Sequence, residues 1–457
     1  MHHRARPSLK PPAPSPRPSA PKAPSPQAPK PKSPSSPRSS VVPMQPWFAD
    51  AKLGIFVHWG IYAVDGVQES WSFYDDIVPH EQYMSQLGRF TGAHYDPKAW
   101  ADLFARAGAR YAVLTSRHHD GVALWDTAYG DLNLGRDYLT GYADALREKG
   151  LKVGLYYSHS DWNHPDYAST RKPGRPPEME DNRYSECSAE DEDLQAWERF
   201  IAYRDGQIRE LASRYRPDLM WFDGEWDRSE EQWRIPELAA LIRSYSPHVV
   251  FNARMLSEGD YATPEQGAPI VPPDGPWELC LTINDSWGYQ HHDHNHKSLA
   301  QLIRYFTETI GGGGNLLLDV GPMEDGTIPQ PQVERLEGLG EWIRRHADAV
   351  YGTVRGLPAG HHYGPSTLSA DGRTLYLTLF DAPRAEIGVR GLATPVRRVS
   401  VLGTGAELGH RVVGGLHEAV GVLWIDPPAG ADLDPYATVL AVELDGELEL
   451  YRGSGRF

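Results

Sequence analysis

The sequence has very little cysteine and no long hydrophobic run. Its 457 residues include only Cys187 and Cys280, which are far apart and form no C-x-x-C motif. This excludes a disulfide framework and argues against a zinc site built on cysteine. The apolar runs are only a few residues long, so we expect no membrane-spanning segment.

Acidic residues are absent from the first 45 positions, which carry eight Lys or Arg residues. This segment is rich in Pro, Ala and Ser and cannot bury apolar surface, so we predict a disordered tail over residues 1–45. It also lacks the apolar region of a signal peptide. We therefore expect a cytoplasmic protein, although export by an unusual route would also fit the sequence.

Negative charge dominates the rest of the chain. All 61 Asp and Glu residues lie beyond residue 45, and the net charge of the whole chain is -16. Nucleic acid and anionic membranes carry the same sign of charge, so we expect neither as a partner. The sequence does not predict an oligomeric state.

Residues 46–355 alternate short apolar runs with amphipathic segments, which is typical of an α/β fold with a parallel sheet covered by helices. The predicted strands are Gly54–Gly60, Arg110–Asp120, Leu151–Trp162, Asp218–Gly224, Val249–Arg254, Leu279–Asp285 and Asn315–Gly321. An open doubly wound sheet and a closed barrel both fit this pattern. Nearly every strand ends in polar residues, which favours a (β/α)8-like TIM barrel with its active site at those ends. No eighth strand is evident.

After residue 355 the apolar pattern changes to a period of two, as in Thr374–Phe380 and Ala437–Gly446. Gly, Pro and Asp separate these runs, so we predict a C-terminal antiparallel β-sandwich over residues 356–457. It lacks a cluster of chemically active residues and is interpreted as a support domain. Within the barrel, the Pro-rich and charged stretch His164–Asp193 is interpreted as an excursion over the barrel mouth.

The run DLMWFDG ends in a carboxylate, Asp223, followed by Gly224, which lets the chain turn and a ligand approach. A helix cap is an equally good interpretation of this aspartate alone. Arg254 ends the next predicted strand and could hold Asp223 ionised, although an isolated arginine is more often part of a structural ion pair.

Histidines also follow predicted strands, at His58 and at the adjacent pair His118 and His119. Imidazoles that donate and accept hydrogen bonds suit a polyol, and a metal site is the alternative. Adjacent histidines point to opposite faces of a strand, so this pair is unsuited to chelating one ion. The tract His291–His296 is a compositional cue for metal binding, and a solvated loop is the simpler interpretation.

Seven motifs, in order from Trp47 to Thr353, resemble glycoside hydrolase family 29, the α-L-fucosidases. They are WFADAKLGIFVHWGIYAV, FARAGARYAVLTSRHHDGVALWD, GLYYSHSDW, YRPDLMWFDGEW, WELCLTINDSWGY, NLLLDVGPMEDGTIP and LGEWIRRHADAVYGT. The resemblance implies a barrel followed by a β-sandwich. It also implies a retaining exo-hydrolase of terminal α-L-fucose that needs no metal or cofactor, with a fucosylated oligosaccharide or glycoconjugate as its substrate.

The resemblance also implies roles for individual residues. Asp223 matches the catalytic nucleophile. The residues that match the sugar pocket and its surroundings are His58, Glu69, Trp71, His118, His119, Tyr157, Trp221, Arg254 and Trp287. Among these, the three histidines match residues that bind fucose hydroxyls, and Trp287 matches a position that shelters the C6 methyl group.

The acid/base residue is either Glu265 or Glu278. Glu265 lies on a loop past Arg254, whereas Glu278 heads a strand at the end of the barrel that faces away from the active site. Catalytic groups belong at the carboxyl ends of the strands, which favours Glu265. Retention predicts that its carboxyl lies about 5–5.5 Å from that of Asp223.

Four positions depart from the family pattern without removing Asp223: Ser70, Arg117, Ala253 and Asp319. Ser70 separates Glu69 from Trp71, and Asp319 stands where an asparagine is usual. Two other functions stay open on the sequence alone. One is a catalytically silent fucose-binding protein, and the other is a metal-dependent barrel hydrolase.

Overall fold

The computed structural model describes residues 44–167, 193–415 and 419–451. Nearly all of the predicted tail over residues 1–45 lies outside the described residues. Most of the predicted excursion at His164–Asp193 lies outside them as well.

A parallel sheet of seven strands forms the barrel wall within the described ranges, in the order β5-β4-β3-β2-β1-β7-β6. The strands are β1 (Leu53–Val57), β2 (Tyr111–Arg117), β3 (Lys152–Ser158), β4 (Leu219–Asp223), β5 (Val250–Phe251), β6 (Glu278–Thr282) and β7 (Asn315–Val320). Each lies within or overlaps a predicted strand. Their side chains are almost all buried, as expected for a parallel sheet covered on both faces.

An irregular segment lies between β5 and β6 and occupies the place of an eighth strand. Tyr261, Ala262 and Glu265 form single parallel bridges, to Asn252 of the chain after β5 and to Trp277 and Cys280 of the β6 region. Pro264 within this segment has no amide hydrogen, so a continuous ladder cannot form there. The position of Glu265 is therefore fixed by the barrel wall itself.

Helices follow the strands and cover the sheet. They are α1 (Pro46–Ala49), α2 (Trp71–Tyr74), α3 (His80–Met84), α4 (Pro97–Arg106), α5 (Leu139–Glu148), α6 (Leu194–Tyr215), α7 (Glu230–Trp233), α8 (Ile235–Tyr245), α9 (Leu299–Gly311), α10 (Gln330–Arg345) and α11 (Ala347–Val350). Side chains cap several of them: Asp96 accepts two backbone hydrogen bonds at α4, and Ser298 forms a capping box at α9. No helix in the described part of the chain combines the length and the apolar character needed to cross a membrane.

Two antiparallel sheets follow the barrel. The larger has the order β12-β15-β10-β9-β8, and the smaller has the order β11-β14-β13. Their strands are β8 (Thr353–Arg355), β9 (Ser366–Ser369), β10 (Thr374–Leu379), β11 (Ile387–Arg390), β12 (Val396–Val401), β13 (His410–Val413), β14 (Val422–Ile425) and β15 (Thr438–Leu444). The two sheets enclose an apolar core of their own.

The predicted fold class, a (β/α)8-like barrel followed by an antiparallel β-sandwich, is confirmed. The predicted boundaries of the domains stay a prediction. Strand β8 begins at Thr353, ahead of the predicted start of the second domain at residue 356, and it pairs with β9 of the larger antiparallel sheet.

Candidate active site

The carboxylate of Asp223 lies at the carboxyl end of β4, among polar groups from the neighbouring strands. Its Oδ2 accepts a hydrogen bond of 3.0 Å from the hydroxyl of Tyr156, and its Oδ1 lies 3.8 Å from Nε of Arg254. Burial raises the pKa of Asp223, and the Arg254 cation and the Tyr156 hydroxyl oppose that shift. The side chain is 19% exposed, so the carboxylate is open to a ligand.

Arg254 brings a second carboxyl into the site. Its Nη2 forms an ion pair with Oε1 of Glu265, while its Nε faces Asp223. The guanidinium is stacked over the ring of Trp221, with 4.6 Å between its carbon and the ring centroid. Burial raises the pKa of Glu265, Arg254 opposes this shift, and the charge of Asp223 adds to it. One planar cation therefore lies between two carboxyls, and burial raises the pKa of both.

Three histidines line the site, and each is anchored through its Nδ1 atom. The anchoring pairs are His58 with Oδ1 of Asp319 at 2.7 Å, His118 with Oγ of Ser70 at 2.6 Å, and His119 with Oγ of Ser158 at 2.6 Å. Burial lowers the pKa of all three rings, that of His119 to about 3. The rings are therefore neutral at ordinary pH, and each keeps its Nε2 for another partner.

Aromatic rings surround these polar groups. Trp287 packs against His58 with 5.1 Å between ring centroids, and Trp71 meets His119 edge to face at 5.6 Å. Buried Glu69 accepts a hydrogen bond of 2.6 Å from the backbone N–H of Gly288. Apolar ring faces beside hydrogen-bonding groups match the two kinds of surface that a sugar presents.

The comparisons with known proteins decide the family. A family model described as alpha-L-fucosidase matches residues 20–348. The chain belongs to the α-L-fucosidase family.

Relatives of this fucosidase chain include both animal and bacterial proteins. The tissue α-L-fucosidase of Bos taurus is 30% identical over 405 residues, which cover 80% of this chain and 81% of the relative. The solved α-L-fucosidase isoenzyme 1 of Paenibacillus thiaminolyticus is 33% identical with a TM-score of 0.77, covering 87% of this chain and 98% of the other. The α-fucosidase of Thermotoga maritima, solved in complex with fucose, is 30% identical with a TM-score of 0.70, covering 87% and 96%.

The two acid/base candidates of this fucosidase lie in different places. Glu278 is fully buried at the first position of β6, where it accepts hydrogen bonds from Tyr111, from Nε1 of Trp221 at 3.0 Å and from Tyr261 at 3.3 Å. Burial raises its pKa to about 7. Since Glu278 lies at the amino end of its strand, only Glu265 is brought to Arg254 and Asp223.

The predicted position of Tyr157 in the sugar pocket is wrong. Its hydroxyl donates a hydrogen bond of 2.9 Å to Gln207 on α6, and its ring lies under the guanidinium of Arg117. Successive residues of a strand point to opposite faces, so Tyr156 contacts Asp223 in its place. The register of β3 on β4 would have revealed this, because Tyr156 pairs with Trp221 and Ser158 pairs with Asp223.

The sequence patterns predict no role for two further groups near the site. Asp319 anchors His58, and burial raises its pKa well above the usual range. Glu225 follows the nucleophile candidate by two residues, and burial together with the charge of Asp223 raises its pKa to about 7. Glu225 Oε2 is buried and has no hydrogen-bond partner among the described residues.

Metal binding was the alternative use of the histidines. No group of three or more His, Cys, Asp or Glu side chains in the described ranges has the arrangement of a metal site. The tract His291–His296 belongs to an irregular, mostly exposed loop between β6 and α9. That this fucosidase works without metal or cofactor stays a prediction.

Proposed function

We propose that this enzyme of the α-L-fucosidase family removes terminal α-L-fucose by double displacement, with Asp223 as nucleophile and Glu265 as acid/base. Its substrates are fucosylated glycans, and we propose oligosaccharides and glycoconjugates that carry fucose at an end. The observation that carries the assignment is Arg254, which contacts Glu265 and faces Asp223 at 3.8 Å. This arrangement supports a pair of carboxyls that act on the two sides of one bond.

In the first step, an oxygen of Asp223 attacks C1 of the fucose while Glu265 gives its proton to the glycosidic oxygen. The bond between C1 and that oxygen breaks, and the aglycone leaves as an alcohol. Tyr156 and Arg254 stabilise the ionised form of Asp223 that attack requires. The raised pKa of Glu265 favours the protonated form that donation requires.

In the second step, Glu265 takes a proton from water, and the resulting hydroxide attacks C1. The bond between C1 and Asp223 breaks, which restores the carboxylate and releases fucose with its original anomeric configuration. Two inversions at C1 therefore give net retention.

The remaining pocket residues supply recognition. The Nε2 atoms of His58, His118 and His119 are available for sugar hydroxyls, because each ring is anchored through Nδ1. Trp287 lies against His58 and offers an apolar surface for the C6 methyl group. Such fixed hydrogen-bond partners orient C1 toward Asp223.

The substitution Asp223→Ala tests this proposal. We expect turnover of an aryl α-L-fucoside to fall by at least about 10³-fold, while fucose binding measured by calorimetry persists. The matched control is Asp218→Asn in the same stretch, since Asp218 accepts hydrogen bonds from Lys152 and from the backbone of Val153. The control is expected to keep its activity.

Other outcomes would favour the other functions. A wild-type protein that binds fucose without turning over any α-L-fucoside would be a silent fucose-binding protein. Activity that is lost with a chelator and restored by a metal ion would indicate a metal-dependent hydrolase. Either result overturns the proposal.

A further inference from the structure

The ring of His119 contacts the hydroxyl of Ser158, which donates its hydrogen to another group. Ser158 ends β3, and its Oγ lies 2.6 Å from Nδ1 of His119. The same Oγ donates a hydrogen bond of 2.7 Å to the backbone carbonyl of Ser160. All three residues are fully buried, so water does not compete for these contacts.

The direction of the bond to His119 follows from the hydrogens available. A carbonyl oxygen only accepts, so the single hydroxyl hydrogen of Ser158 points to Ser160. Ser158 therefore offers a lone pair to His119, and Nδ1 must carry the ring hydrogen. Burial, together with the charge of Arg117, lowers the pKa of His119 to about 3, so the ring is neutral. Nε2 then carries no hydrogen and acts as an acceptor.

This bare nitrogen faces another acceptor. Nε2 of His119 lies 3.6 Å from Oδ2 of Asp223 and, within the described residues, has no hydrogen-bond partner. A buried acceptor without a donor lowers the stability of the folded protein, because it has lost its hydrogen bonds to water. The gap between the two atoms is therefore suited to a ligand hydroxyl that donates its hydrogen.

We propose that Ser158 is a positioning residue that fixes His119 as an acceptor for the 2-hydroxyl of the sugar. This inference rests on the proposed attack of Asp223 on C1. The ring neighbours of C1 are the ring oxygen and C2, and only C2 bears a hydroxyl. The donor nearest to both Asp223 and His119 is therefore the 2-hydroxyl, and 2-deoxy fucosides or fucosides substituted at O2 are poor substrates.

The effect of Ser158→Ala should depend on the substrate. Without Ser158, His119 is free to place its hydrogen on Nε2 and to donate it to Asp223, which removes the acceptor. We expect kcat/KM on an aryl α-L-fucoside to fall about 10- to 100-fold. On the matching aryl 2-deoxy-α-L-fucoside we expect the loss to stay below about 3-fold.

Ser70→Ala is the matched control. Ser70 anchors His118 over the same 2.6 Å, and no contact between His118 and Asp223 is present among the described hydrogen bonds and ion pairs. The decrease in kcat/KM caused by Ser70→Ala should be the same on both substrates. An equal loss on both substrates for Ser158→Ala as well would overturn the role of Ser158. Wild-type protein inactive on the first substrate would instead overturn the proposed function.

Neutron diffraction of the wild-type protein after deuterium exchange tests the inference without any substitution. We expect deuterium on Nδ1 of His119 and none on Nε2. Deuterium on Nε2 would overturn the inference, whether or not the variants fold.

Discussion

At the scale of single residues, Asp223 is held by groups that shift its pKa in opposite directions. Burial raises the pKa, whereas Arg254 and the hydroxyl of Tyr156 lower it. A nucleophile must be ionised, so these donors set the pH below which activity is lost. The contact with Tyr156 is direct, at 3.0 Å from Oδ2.

Tyr156→Phe should therefore move the acid limb of the profile of kcat/KM against pH to higher pH. The hydroxyl stabilises the charged form of Asp223, so its removal raises the pKa of that carboxyl further. We also expect kcat/KM at the optimum to fall about 10-fold. The control is Tyr157→Phe, whose hydroxyl donates to Gln207. Equal shifts of the acid limb in both variants would contradict this account.

Tyr156 and Tyr157 also show how much of the candidate site the sequence predicts. Strand ends rich in polar residues indicated His58, His119, Asp223 and Arg254, and the structure brings these together. The choice between Tyr156 and Tyr157 depends on the register of one strand on its neighbour. Register depends on the pairing of strands that are far apart in the chain, and the pattern of a single sequence does not predict it for two strands that are buried on both faces.

At the scale of elements, the least regular part of the barrel carries Glu265. The segment from Tyr261 to Glu265 shows neither alternation nor an apolar run, so its sequence predicts no strand. The next residue, Gln266, has a φ of +58°, which is uncommon for a residue other than glycine. Its Oε1 accepts hydrogen bonds from Oγ1 of Thr282 at 3.1 Å and from the Thr282 backbone at 3.4 Å. Gln266 thereby ties the acid/base candidate to β6.

Gln266→Ala should impair proton donation by Glu265 more than attack by Asp223. We expect kcat on an alkyl α-L-fucoside, whose leaving group needs a proton, to fall about 10-fold. On a dinitrophenyl fucoside, whose leaving group departs without a proton, the decrease in kcat should be small. The control is Gln330→Ala, at the start of α10, where the side chain donates a hydrogen bond of 3.5 Å to Glu334, its one side-chain partner in the part of the chain that the structure describes. Equal losses on the two substrates would show that Gln266 does not act through Glu265.

At the scale of the whole molecule, the described residues from 44 onward belong to one compact unit. Helix α10 connects the barrel to the sandwich. Nε1 of Trp342 donates a hydrogen bond of 3.0 Å to the carbonyl of Ala437, and Arg345 forms an ion pair of 2.9 Å with Asp434. From the barrel, Nζ of Lys52 donates a hydrogen bond of 2.7 Å to the carbonyl of Thr353 in β8. The change of apolar period predicted the sandwich, whereas these contacts depend on how the two parts meet.

Trp342→Phe should lower the free energy of unfolding by about 1–3 kcal/mol, because the buried carbonyl of Ala437 loses its donor. Since the barrel and the sandwich share this contact, denaturant unfolding followed by fluorescence and by circular dichroism should show one coincident transition. kcat/KM should stay unchanged, because the described ring contacts of Trp342 are to Phe306 and His346, outside the site. Separate transitions for two parts of the molecule would contradict a single cooperative unit.

The stereochemistry of hydrolysis tests the central claim most directly. Proton NMR during the first minutes of hydrolysis of an aryl α-L-fucoside identifies the anomer that leaves the enzyme, before mutarotation in water. Double displacement through Asp223 predicts that α-L-fucose appears first and that the β-anomer follows by mutarotation. If β-L-fucose appears first, a single displacement by water has taken place, and the role assigned to Asp223 is wrong.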